Sequence, residues 1–108
     1  MTEPLAQQVF LALGDPMRRE LLERLVRQDG QTATELAAEL PITRQGVSKH
    51  LAILSEAGLV SARQQGRDRR YSFTPGPLHL TVDWISALTR QWDQRLQALR
   101  QFLDQDNT

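Results

Sequence analysis

Thr32-Ala33-Thr34-Glu35-Leu36-Ala37-Ala38-Glu39-Leu40-Pro41-Ile42-Thr43-Arg44-Gln45-Gly46-Val47-Ser48-Lys49-His50-Leu51 is the stretch whose punctuation decides the fold. Thr32 and Glu35 stand three apart, as in a capping box: a threonine hydroxyl accepts from the third amide while the glutamate reaches back to the cap. The helix they open is predicted from Ala33 to about Leu40, with Leu36, Ala37 and Leu40 inward, and Pro41 breaks it. Thr43 then caps a second helix, predicted over 44–57, whose inward stripe is Val47, Leu51 and Leu54. A short helix, a tight turn and a second helix with a polar, basic start describe a helix-turn-helix.

Working outward, the period changes from helical to two after Gly58. Val60 and Ala62 alternate with Ser61 and Arg63, and Tyr71 and Phe73 alternate with Arg70, Ser72 and Thr74. Gln65-Gly66-Arg67-Asp68 supplies the turn of a two-stranded hairpin with a basic tip. On the N-terminal side, Leu5, Val9, Phe10 and Leu13 recur at helical spacing up to Gly14. Asp15 and Pro16 are an N-cap and a first-turn proline for a helix carrying Met17, Leu21, Leu22, Leu25 and Val26 on one stripe, with Gly30 as its stop.

Pro75-Gly76-Pro77 reads as a break, and a last helix is predicted from about Leu78 to Leu103. Its apolar positions are Trp84, Ile85, Leu88, Trp92, Leu96, Leu99, Phe102 and Leu103. At 1.5 Å per residue it would run about 39 Å, more than one small core can cover, so its stripe points to a partner helix. The expected class is mainly α with a β-hairpin wing, in the order α-α-α-α-β-β-α: a winged helix-turn-helix. Residues 1–108 are expected to form a single domain of this type, its last helix offering a stripe to a partner.

The chain has 108 residues, with 13 basic and 13 acidic side chains. That balance conceals a strong asymmetry: residues 44–70 hold six basic against two acidic side chains, while 1–43 hold four against seven. Positive charge concentrated on one motif is the footprint expected of a polyanion-binding face. The absence of cysteine rules out disulfides, thiolate catalysis and cysteine-ligated metal. Met1-Thr2-Glu3-Pro4 lacks the basic start and apolar core of a signal peptide, and no apolar run approaches the roughly 20 residues of a membrane span. A soluble cytoplasmic protein with no membrane role is the expectation.

Helix N-termini favour phosphate, because free amides and the macrodipole point outward there. The side chains turned away from Val47, Leu51 and Leu54 are Arg44, Gln45, Ser48 and Lys49. Arginine can pair with guanine O6 and N7, glutamine with adenine, serine with a base or phosphate, and lysine with phosphate or a second base. His50 borders the core stripe and admits two readings, a hydrogen-bonded histidine at the core margin or a DNA contact. The hairpin carries Arg63, Arg67, Arg69 and Arg70; Arg63 lies nearer the strand base, and Arg67 and Arg69 are the candidates for reaching outward. Arg18 and Arg19 oppose the dipole at their helix start, and pairing with Glu20, Glu23 or other acids is favoured over phosphate contact.

The set Ala12-Leu13-Gly14-Asp15-Pro16-Met17-Arg18-Arg19, Leu21-Leu22, Glu35-Leu36-Ala37, Val47-Ser48-Lys49-His50-Leu51 with Leu54, Ala57-Gly58-Leu59-Val60, Gly66-Arg67 and Tyr71-Ser72-Phe73 resembles the ArsR-type (arsenic-repressor-like) family of small dimeric bacterial transcriptional repressors. The resemblance covers roughly residues 5–103. It implies a homodimeric repressor on an inverted-repeat operator of double-stranded DNA, with wing arginines in the minor groove or on phosphates. It implies a dimer interface from the first and last helices, for which Leu5, Val9, Trp84, Leu88, Trp92, Leu96 and Leu99 are the candidates. The family's metal sensors carry a Cys-x-Cys pattern on the third helix, where this chain reads Glu35-Leu36-Ala37-Ala38-Glu39-Leu40. Other members bind zinc through Asp and His on the last helix, which here offers only His79 and Asp83. Two ligands are too few for zinc unless a dimer brings two pairs together, so no metal or other cofactor is expected.

Two rival readings differ in kind. One is a repressor whose DNA affinity is set by a ligand or metal; the other is a winged-helix protein-interaction module without a DNA role. Enzyme activity is not expected: the only histidines are His50 and His79, no phosphate-cradling glycine loop occurs, and Ser48 and His50, two apart on a helix, point different ways.

Overall fold

The computed structural model describes residues 4–106, and the side chains of residues 6–105. The order is α1 (Pro4–Leu13), α2 (Pro16–Arg27), α3 (Ala33–Ala38), α4 (Arg44–Glu56), β1 (Val60–Gln65), β2 (Asp68–Phe73) and α5 (Gly76–Asp106). The winged helix-turn-helix order read from the sequence is therefore the observed one.

The local signals act as expected. Asp15 Oδ1 accepts from the amides of Met17, at 2.7 Å, and Arg18, at 3.3 Å, with Pro16 opening α2. Both halves of the capping box form: the Glu35 amide donates to Thr32 Oγ1 at 3.1 Å and the Thr32 amide to Glu35 Oε1 at 3.0 Å. Thr43 Oγ1 accepts from the Gly46 amide at 3.0 Å and starts α4. Thr43→Ala should therefore cost about 1 kcal/mol of stability, read from the urea midpoint at fixed protein concentration. A change under a few tenths would mean that the helix start is held by something other than its cap.

Gly58 ends α4 with φ 75°, and the Leu59 amide donates back to the Leu54 carbonyl at 3.0 Å. A side chain there would be strained by that φ and would meet the Pro77 ring at 3.2 Å. At the hairpin tip the two-residue loop is Gly66-Arg67, with Gly66 at φ 63° and Arg67 at negative φ, the glycine placement of a type II′ turn.

One core joins the elements: Val9 and Ala12 of α1, Leu21 and Leu25 of α2, Leu36 of α3, Val47, Leu51 and Leu54 of α4, then Leu59 and Val60. Tyr71 and Phe73 close it from β2. The strands pair antiparallel from Val60 opposite Phe73 to Gln65 opposite Asp68. The hairpin is also tied to the body by a bridge between Gln31 and Tyr71, with Gly30 donating to the Tyr71 carbonyl at 3.0 Å and Tyr71 to the Gln31 carbonyl at 2.9 Å.

Several expectations need correction. α3 stops at Ala38, because Glu39 and Leu40 turn tightly onto the Leu36 and Ala37 carbonyls. Val26 is 62% exposed, since α2 turns that flank away from the core. Pro77 does not break α5 but sits in its first turn, where a missing amide costs nothing. Val9 was a candidate for the dimer interface; it is wholly enclosed by its own chain and has no surface left for a partner. The Leu5 side chain lies outside the described ones. No helix among the described residues is long and apolar enough to cross a membrane.

α5 leaves the body. Thr81 is buried against it, and Trp84 packs edge-on to Phe10 of α1 with ring centroids 5.8 Å apart. From Leu88 to Gln105 every side chain is exposed. The molecule is accordingly 74 Å long and only 24 by 21 Å across.

Candidate nucleic-acid interface

Three elements converge on an open groove of about 440 Å³: the N-terminal end of α3, the first turns of α4 and the wing. Arg44 and Ser48 line it from α4, Arg67 and Arg69 from the hairpin, and Thr32 and Thr34 from α3. Gln45 and Lys49 do not line it; they are exposed on the outer face of α4, the side opposite Val47 and Leu51. The six sequence candidates thus divide into four that share a groove and two on the adjoining protruding face.

The arginines fall into two groups by their partners. Arg18 donates to the carbonyls of Ala12, at 2.7 Å, and Leu11, at 3.0 Å, and Arg19 donates to that of Leu13. They close the C-terminal end of α1, which explains two cations at the start of α2: they serve the preceding helix, where positive charge is favoured. The expected structural role holds, with carbonyls rather than acids as the main partners. Arg24 bonds Glu20 and Glu39, joining α2 to the end of α3. Arg70 donates to the Gly30 carbonyl at 2.8 Å and to Glu35 Oε1 at 3.1 Å, and lies 3.5 Å from Asp68. It is engaged in holding the hairpin against α3.

By contrast, none of Arg44, Lys49, Arg63, Arg67 and Arg69 has an ion-pair partner among the described residues. Arg69 lies over the Tyr71 ring, 5.9 Å from its centroid, which leaves its charge uncancelled while restricting its range. His50 is half-buried, with Nδ1 3.4 Å from an Arg18 nitrogen. Arginine has no acceptor, so Nδ1 takes the acceptor role. This is the core-margin reading of His50.

The Glu35 carboxyl is held below the ordinary value of 4.5 by the Thr32 amide and hydroxyl first, and then by Arg70. At Asp15 desolvation pushes the carboxyl up, but the Met17 and Arg18 amides outweigh it, and the pKa falls below 3.8. A depressed folded-state pKa contributes stability above the unfolded value that is lost as pH falls through the folded one. Glu35→Gln should therefore flatten the acid limb of the stability curve below pH 4.5, in urea titrations across pH. An unchanged limb would assign acid sensitivity to other carboxylates.

Thr34 and the Gln31–Tyr71 bridge were not singled out in the sequence. The helix-turn-helix pattern could have pointed to Thr34, because its first helix crosses the phosphate backbone. On its Gln31 side the bridge rests on a single residue outside any periodic run, which leaves no such signal.

Residues 13–62 match a family described as a helix-turn-helix domain. The chain is 39% identical over 84 residues to YuzN of Bacillus subtilis, an uncharacterized HTH-type transcriptional regulator, covering 71% of this chain and 91% of YuzN. It is 31% identical over 88 residues to the transcriptional repressor SdpR of Bacillus subtilis, covering 82% of this chain and 97% of SdpR. A solved ArsR-like transcriptional regulator from Rhodococcus sp. RHA1 superposes with a TM-score of 0.82 at 39% identity, over 91% of this chain and 92% of that one. The chain belongs to the ArsR family of winged helix-turn-helix transcriptional regulators.

This ArsR-family protein is accordingly a DNA-binding transcriptional regulator, and its family is one of regulators rather than enzymes. α4 is the second helix of the motif, the one such regulators carry into the groove. Among the described residues no three His, Asp or Glu side chains gather as a metal-holding group.

Proposed function

We propose that this regulator is a cytoplasmic homodimeric repressor acting on an inverted-repeat operator, each chain forming one winged-helix domain over 1–108 with α1 and α5 as its dimerisation helices. The observation that carries this reading is the convergence of Arg44, Ser48, Arg67 and Arg69 on one open groove, the arginines having no ion-pair partner among the described residues. α4 enters a major groove with Gln45 and Lys49 foremost, and Arg44 and Ser48 face the strand beside the wing. Arg67 and Arg69 grip phosphates or the minor groove. Phosphate contacts set affinity and register, and base contacts set sequence.

Support for a dimer comes from the exposed α5 stripe of Leu88, Trp92, Leu96 and Leu99, which lone chains would leave in water. A two-fold dimer requires half-sites related by the same symmetry, about 34 Å or a multiple apart. Occlusion of a promoter by the bound dimer gives repression, in keeping with the name of SdpR.

Gln45→Ala tests the reading. Selection of binding sites from random duplexes should show relaxed preference at one position of each half-site, with discrimination there falling by about 1–3 kcal/mol. An unchanged base preference would overturn the assignment of the outer α4 face to base reading.

A further inference from the structure

A groove that holds a polyanion should be kept clear of acids, yet Glu35 and Asp68 both line the groove beside α4. One cation reaches both. An Arg70 guanidinium nitrogen lies 3.1 Å from Glu35 Oε1, and a second lies 3.5 Å from Asp68 Oδ2. Glu35 Oε1 also accepts from the Thr32 amide at 3.0 Å. A single carboxylate oxygen therefore joins the start of α3 to the second wing strand, and Arg70 carries the link on toward the hairpin tip.

The place of this link along the hairpin matters. From Arg63 to Arg69 every hairpin residue is exposed. The backbone bridge to Gln31 lies at Tyr71, and Arg70 is the next residue outward. Among the described residues, Arg70 supplies both side-chain hydrogen bonds from the hairpin to the body, to the Gly30 carbonyl and to Glu35. Arg63 stands directly opposite Arg70 across the strands, and like charges so placed repel. An acid at Glu35 is what keeps Arg70 turned onto the body.

We propose that Glu35 is a positioning residue for DNA binding: through Arg70 it sets the pitch of the wing over α4, so that Arg67 and Arg69 meet the strand that Arg44 and Ser48 face. An acid in the groove thus strengthens the hold on a polyanion. Arg70 itself, occupied by Gly30, Glu35 and Asp68, makes no phosphate contact. The inference rests on the wing–DNA contact proposed above and names the residues that aim it.

Charge and positioning predict opposite signs. Glu35→Ala takes a negative charge out of the groove, which by charge alone tightens DNA binding; loss of the strut weakens it. Gel shifts near 0.1 M salt should show Glu35→Ala, Arg70→Met and the double variant each weaker than the parent by about tenfold or more, since a lost phosphate contact per subunit already accounts for that. The double variant should match Arg70→Met, because two halves of one contact do not add. For Arg70→Met the slope of log affinity against log salt should become less negative by more than about 1.8, the share of one phosphate contact per subunit.

Unchanged or tighter binding by Glu35→Ala would overturn the proposal. So would a double variant restored to parental affinity, which is the pattern of charge alone, or a slope change for Arg70→Met of about 1.8 or less. Glu35→Ala also loses half of the capping box, so circular dichroism and the thermal midpoint are compared and binding is measured well below that midpoint. Arg70→Met leaves the cap intact and carries the slope test by itself if Glu35→Ala does not fold. Removing the Arg67 and Arg69 side chains separates the two levels. If that leaves the slope unchanged, the wing–DNA reading falls and the strut with it. If it flattens the slope while Glu35→Ala binds as tightly as the parent, the strut alone falls.

Discussion

Trp92→Glu is expected to turn the regulator into monomers and weaken its grip on an inverted-repeat operator by about 10³-fold. A dimer that has engaged one half-site meets the second at an effective concentration near millimolar, and a monomer loses that advantage, about 10²–10⁴ in affinity. Trp92 is 59% exposed within its own chain, so the substitution leaves the core of Leu21, Leu51 and Leu54 intact. Its apolar surface is of value only against another molecule, where a carboxylate would be buried without a partner. Light scattering should show the mass halved, and gel shifts should show the loss on full operators with little change on a single half-site. A variant that stays dimeric would remove Trp92 from the interface.

The double variant Arg67→Ala, Arg69→Ala should act differently. Each phosphate neutralised on duplex DNA adds about −0.9 to the slope of log affinity against log salt. If each subunit engages about four phosphates, the slope for the dimer is about −7, and removing two per subunit brings it to about −4. Near 0.1 M salt the same four contacts represent roughly 10³-fold in affinity. The loss should be similar on specific and unrelated sequences, because phosphates carry no sequence information. Arg69 also stacks over Tyr71, so the thermal midpoint should be compared alongside. A slope unchanged by the double substitution would take the wing off the DNA.

The fold was legible in the sequence where one residue fixes one backbone event. Asp15-Pro16, Thr32 with Glu35, Thr43 and Gly58 each mark a helix end through their own hydrogen bond or φ, and those ends fall within one or two residues of the expected places. Legibility failed where the partner is distant in the chain. Nothing near Arg70 reveals that it will meet Glu35 and the Gly30 carbonyl, 35 and 40 residues away, and so differ from Arg69 beside it. Arg18 and Arg19 read as misplaced cations until the preceding helix end is seen against them. Val9 and Phe10 show the same limit: a helical stripe states which side is apolar, but whether that side faces its own chain depends on where α5 lies. Val9 is enclosed, while Phe10 stays 39% exposed against Trp84.

Every side chain of α5 from Leu88 to Gln105 is exposed, and that has a thermodynamic consequence. Holding each residue's backbone in one conformation costs about 1–2 kcal/mol, and a solitary helix shorter than about 15 residues is marginal in water. The last four turns therefore depend for their rigidity on whatever lies across them. If that is a sister subunit, coiling of this segment and association are a single equilibrium. How much of the chain is ordered then varies with how many copies the cell holds.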